Sequence, residues 1–130
     1  MTELRKSTTT FSHAIPFMPV RDLKETINYY RDQLGFYNEW FWEDTDAGIN
    51  RDDLGLLFML DADFVARINS NQRHFEICWF VNNVDEVYNE YKSKGVNIIS
   101  PLELKPWGIK EFTIEEVNSY WIRIGSGNDE

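Results

Sequence analysis

His13 and His74 stand 61 positions apart, and Glu76 and Cys78 follow His74 at steps of two. Alternate residues of an extended strand point to one face about 7 Å apart, so His74 and Glu76 share a face and, joined by His13, could offer three donors to a divalent ion. No fourth donor accompanies them, and histidines at strand starts are more often surface residues than ligands. Cys78 is the single cysteine, which rules out an internal disulfide framework. No Lys, Arg or His adjoins it in sequence to favour the thiolate, so it reads as a small apolar filler. There is no G-x-S-x-G elbow, no phosphate loop and no dinucleotide-binding glycine fingerprint, so nucleophilic and nucleotide chemistry lack a signature. The chain is rich in rings instead, with five tryptophans. Among them, Pro106-Trp107-Gly108 sets a large ring in a turn, where packing gives little reason for one.

Positioning these side chains falls to 130 residues, enough for one domain and a sizeable core. Hydrophobic residues make up 42% and charged residues 27%, the balance of a globule and not of a disordered chain. The net charge of −9 repels phosphate backbones and anionic lipid headgroups, which argues against nucleic acid and membrane partners. No window reaches the ~18 apolar residues of a bilayer span. The polar run Thr2 to Thr10 is unlike a signal peptide, and with one cysteine it fits a cytoplasmic protein. Residues 1–10 read as a disordered N-terminal segment and 11–126 as the single folded domain.

Within that domain Leu23, Ile27, Tyr30 and Leu34 form one helical stripe, with Asp22 and Glu25 as its capping pair and Gly35 as its left-handed stop. The same grammar returns in Val84, Val87, Tyr88 and Tyr91, with Asn83 and Glu86 at the start and Gly95 at the end. Val20 and Val81 are 61 positions apart and Gly35 and Gly95 are 60 apart, the mark of an internal duplication. Strand-like runs surround each helix: His13 to Val20, Tyr37 to Glu43, Ala47 to Arg51 and Leu54 to Leu60 in the first half. In the second they are His74 to Val81, Val96 to Ile99, Ile109 to Glu115 and Ser119 to Ile124. Each half therefore reads βαβββ, over about 13–61 and 74–125, in an α+β fold. Residues 62–73, ending in polar Asn69-Ser70-Asn71-Gln72, read as a solvated linker with at most one helical turn. Along the leading strand of the second half, Trp79 alternates with Glu76 and Cys78 and joins Phe75 and Ile77 on the helix-covered face, which makes it core.

Two βαβββ units with these landmarks resemble the vicinal oxygen chelate superfamily, which holds glyoxalase I, extradiol dioxygenases and antibiotic-resistance proteins. The run Ala14 to Leu23, Tyr30, Leu34-Gly35-Phe36 and Pro106-Trp107-Gly108 look most like bleomycin-resistance proteins. The resemblance implies two curved sheets around a cup, and in metal-dependent relatives four His or carboxylate ligands on the strands facing it. Carried onto this chain, two of those positions are Ile15 and Glu76, a third falls in Leu54 to Leu60, which holds no ligand residue, and the fourth is Arg123. An alkyl group and a permanent cation cannot ligate, so no metal or other cofactor is expected.

In place of the cation, an ion pair between Glu76 and Arg123 is expected in the cup. Such an Arg123 would depress Glu76 and disfavour it as a general base, so no catalytic residue is assigned. Phe17, Phe58, Trp40, Trp42, Trp107 and Trp121 complete the implied ligand-binding lining. Trp121 shares parity with Arg123 and Trp40 with Trp42, while the face each hairpin turns inward stays open. An acidic body with an aromatic cup suits a planar or cationic molecule. The first reading is a metal-free protein that sequesters such a ligand as a homodimer, in the manner of antibiotic resistance by drug capture. The second is a lyase or dioxygenase with an atypical metal site at His13, His74 and Glu76. The third is an interaction module whose cup is filled by its own side chains.

Overall fold

The structure, a computed structural model, describes residues 7–70 and 74–127. Residues 1–6 of the expected N-terminal segment and 71–73 of the expected linker lie outside the described residues. The first half runs β1 (Phe17–Val20), α1 (Leu23–Asp32), β2 (Tyr37–Trp42), β3 (Asp46–Arg51) and β4 (Leu54–Leu60), followed by α2 (Ala62–Asn69). The second runs β5 (Glu76–Phe80), α3 (Val84–Ser93), β6 (Ile98–Leu104), β7 (Lys110–Glu115) and β8 (Trp121–Ser126). Each half is the expected βαβββ unit, and each makes a four-stranded mixed sheet, ordered β1-β4-β3-β2 and β5-β8-β7-β6.

Local chemistry sets the helix boundaries. Asp22 accepts from the Glu25 N–H at 2.7 Å and starts α1, and Asn83 accepts from the Glu86 N–H at 3.3 Å and starts α3. Glu86 returns the bond through Asn83 Nδ2 at 3.4 Å, whereas Glu25 turns to Arg21 at 3.7 Å. Gly35 at φ 82° and Gly95 at φ 76° carry the chain out of α1 and α3 in the left-handed region.

The linker expectation is corrected here. Asp61 caps Phe64 N at 3.1 Å and starts an eight-residue helix, α2, that anchors itself through buried Val65. The helix packs on β1, and Asn69 donates to the Asn118 carbonyl at 2.9 Å, which ties the end of the segment to the second half.

Parity along the strands divides each sheet into a packed and an open face. Met18, Val20, Ala47, Ile49, Leu56 and Phe58 of the first sheet, and Trp79, Phe112, Ile114, Ile122 and Ile124 of the second, join the helices in one core. The halves interlock there: Trp79 meets Phe36 at 5.3 Å and Tyr30 at 6.4 Å between ring centroids, Tyr91 donates to the Leu34 carbonyl at 2.8 Å, and Tyr30 donates to Glu116 at 2.7 Å. Among the described residues no helix is long and apolar enough to cross a membrane.

Candidate ligand-binding site

The open face of the second sheet is built from polar strand positions. β5 pairs parallel with β8, setting Glu76 beside Trp121 and Cys78 beside Arg123, while β7 pairs antiparallel with β8 and sets Thr113 beside Arg123 and Glu115 beside Trp121. Glu111, two residues from Thr113, shares that face. Arg123 reaches it with both Nε, at 3.1 Å, and Nη2, at 2.9 Å, on the one oxygen Oε2. Trp107 arrives from the β6–β7 turn, where Gly108 at φ 90° reverses the chain. Its Nε1 donates to the other carboxylate oxygen of Glu111 at 3.4 Å, and its ring stands 5.8 Å from the Arg123 guanidinium carbon. Cation–π attraction and a charge-assisted bond thus hold one cluster of cation, carboxylate and indole. Donating to Glu111 raises the Arg123 pKa above its usual value, so the guanidinium keeps its charge.

The expected partner of Arg123 is corrected by this register. Glu76 lies opposite Trp121 rather than Arg123 and is exposed, while Glu111 sits on the strand against the other edge of β8 and is 7% exposed. Glu111 was not foreseen. Its signal in the sequence is the alternation of Glu111, Thr113 and Glu115 with Phe112 and Ile114, which marks a polar face of β7. Cys78 also departs from expectation, for it is exposed on this face and not buried.

On the first sheet the register settles which way the hairpin turns. Trp40 pairs with Gly48 and Trp42 with Asp46, and Gly48 pairs in turn with Leu57 and Leu57 with Phe17, so Phe17, Trp40 and Trp42 share the open face. Gly48 is required there, since a Cβ would overlap the Trp40 indole that lies on it. These rings are half-exposed, Trp42 the most at 59%. Phe58 is corrected to the core. It pairs with Met18 on the packed face, is 0% exposed, and meets Tyr30 at 5.1 Å.

The donor set does not fit a divalent ion. His74 is stacked on Trp121 at 4.1 Å and 9°, with its Nδ1 3.3 Å from the Ser119 carbonyl. Ile15 has no donor, Arg123 is a cation fastened to Glu111, and β4 offers only glycine, leucine, phenylalanine and methionine. Among the described residues no group of three or more His, Cys, Asp or Glu is placed to hold a metal, and the His13, His74 and Glu76 set does not converge. What the face can do chemically is bind, with a caged guanidinium, an indole and the carboxylates Glu76 and Glu115.

A family model described as the Glyoxalase/Bleomycin resistance protein/Dioxygenase superfamily matches residues 10–124. The chain belongs to this superfamily. A search of curated proteins gives no match. Among solved structures, the superfamily fold of this chain is similar to a bleomycin resistance determinant encoded on the transposon Tn5, with TM-score 0.76, 23% identity, and 91% of this chain and 99% of that one covered. A bleomycin-binding protein complexed with bleomycin gives 0.74 at 21% identity, covering 91% and 100%. A bleomycin-binding protein from Streptomyces verticillus, complexed with copper(II)-bleomycin, gives 0.72 at 20%, covering 93% and 100%. At these identities the likeness establishes the fold, two four-stranded sheets with three helices in an α+β arrangement.

Proposed function

We propose that this protein is a metal-free binding protein that sequesters an aromatic or cationic compound of the bleomycin kind in the cytoplasm, as a homodimer whose two copies close the cavity. The observation that carries the reading is the Arg123–Glu111 pair beneath Trp107 on an open sheet face. A charged pair held in place and covered by an indole is preorganised to receive a planar or charged ligand without further ordering. Phe17, Trp40 and Trp42 leave the first sheet with an aromatic face that calls for a cover. A second copy laying its Trp107 face across it would enclose the ligand between Phe17, Trp40 and Trp42 of one subunit and Glu76, Trp107, Trp121 and Arg123 of the other. Structural neighbours whose own descriptions name bleomycin support the ligand class.

The test is tryptophan fluorescence during titration with metal-free bleomycin and a panel of cationic aromatics, beside metal analysis of the purified protein and its mass in solution. Saturable quenching by a metal-free dimer is expected, and lost in Arg123→Ala. A stoichiometric divalent ion removed by His74→Ala would overturn the reading in favour of an enzyme. Absence of saturable quenching across the panel would leave only an interaction module.

A further inference from the structure

The internal repeat provides its own control for a second site. The halves meet at two equivalent junctions, each made by a late hairpin turn of one half and the strand-to-helix connection of the other. Where the β7–β8 turn meets the β1–α1 connection, the junction is sealed. Asn118, 0% exposed, accepts from Arg21 N at 2.9 Å and donates to Thr26 Oγ1 at 3.2 Å, and the Arg21 guanidinium donates to the Val117 carbonyl. Where the β3–β4 turn meets the β5–α3 connection, no such plug is present among the described residues, and a cleft of about 470 Å³ remains.

The cleft combines two chemistries. Its rim carries Asp52 and Asp53 from the turn and Glu86 from α3. The cation in its wall, Arg51, is already committed: Nη1 donates to Glu90 Oε2 at 3.0 Å and to the Leu34 carbonyl at 2.8 Å, and Nη2 donates to Glu90 Oε1 at 3.0 Å. Asp52 Oδ1 accepts from the Tyr37 hydroxyl at 3.2 Å and Glu86 Oε1 from Asn83 Nδ2 at 3.4 Å, and the lining residues offer these carboxylates no free cation. Below them lie the rings of Phe36 and Trp79, and the Trp79 Nε1 has no hydrogen-bond partner among the described residues. A concave site with negative rim and aromatic floor attracts a positively charged group by Coulomb and cation–π terms while burying its hydrocarbon part. Trp79 faces away from the Arg123 side of its sheet, so this site is separate from the one proposed above.

We propose that the cleft between the β3–β4 turn and α3 binds a small organic ammonium compound, with the cation among Asp52, Asp53 and Glu86 and the apolar body against Trp79 and Phe36. The experiment labels the intact protein with 5-fluorotryptophan, assigns Trp79 from the ¹⁹F resonance lost in Trp79→Phe, and titrates benzyltrimethylammonium. A saturable shift of the Trp79 resonance is expected, with half-saturation roughly fivefold to tenfold higher in Asp53→Asn/Glu86→Gln, which removes two rim charges and keeps the Asn83–Glu86 bonding geometry. No saturable Trp79 shift by about 20 mM, where a millimolar site is filled, would overturn the proposal. So would an identical titration of the double variant, or shifts confined to the other tryptophans. Those other resonances report the Trp107 face, so failure of drug binding there is read separately.

Discussion

Removing one hydroxyl should expose how the two halves are fastened. Tyr30 is 0% exposed and donates to Glu116 Oε2 at 2.7 Å, while Glu116, 3% exposed, receives the Asn118 N–H and, at 3.2 Å, the Tyr120 N–H on its other oxygen. In Tyr30→Phe the Oε2 atom keeps only Asn118 Nδ2 at 3.5 Å. A hydrogen bond to a charged group contributes about 1.5–3 kcal/mol, so a loss of roughly 2 kcal/mol is expected at pH 7. Burial raises the Glu116 pKa above the ordinary glutamate value, with the Tyr30 bond opposing that rise. Between the unfolded pKa and the raised folded one, the native protein holds a proton that the unfolded chain has released. Stability from this group is therefore complete below the unfolded pKa and declines as pH rises through the folded one. Tyr30→Phe raises the folded pKa further, so its penalty should grow as pH rises above the unfolded pKa and through the folded one. Urea unfolding followed by circular dichroism at several pH values, at fixed ionic strength, measures both effects. A penalty under about 0.5 kcal/mol at pH 7, or one that shrinks with rising pH, would refute the reasoning.

Other substitutions probe the elements that place the site. Gly95→Ala should cost about 1 kcal/mol from the positive φ alone, because no heavy atom lies within 4 Å of the added methyl group. Gly35→Ala should cost about 1 kcal/mol more, since its Cβ falls 2.6 Å from Arg51 Nη1 and disturbs the Arg51–Glu90 pair; denaturant midpoints of the two variants rank them. Gly48→Ala should expel the Trp40 indole from the first sheet, seen as a changed near-UV dichroism with unaltered far-UV signal, and should weaken the proposed homodimer in sedimentation. Asp61→Ala should destabilise by about 1 kcal/mol through the lost α2 cap, an effect a solvated linker would not show.

The repeat, both capped helices and the eight strands were legible because each rests on local signals: a capping residue, a glycine stop, an apolar period. Phe58 was misplaced for a physical reason. The run Leu54-Gly55-Leu56-Leu57-Phe58-Met59-Leu60 is apolar at both parities, so alternation carries no facing information, and only the parallel register with Met18 turns Phe58 inward. The carboxylate that Arg123 meets was not legible, since Glu76 and Glu111 lie on strands at opposite edges of β8 and only register and reach decide between them. The α2 helix hid behind the polar run Asn69 to Gln72, its apolar stripe reduced to Val65 and Ile68. The open faces stayed ambiguous for Trp40 and Trp42 until their pairing with Gly48 and Asp46 was known.

The most direct trial of the binding account is a crystal structure of the protein grown with metal-free bleomycin. The drug is expected between two copies, against Trp107, Arg123 and Glu111 of one and Trp40 and Trp42 of the other. A metal ion chelated by His13, His74 and Glu76, or that face turned to bulk solvent with the drug absent, would contradict it.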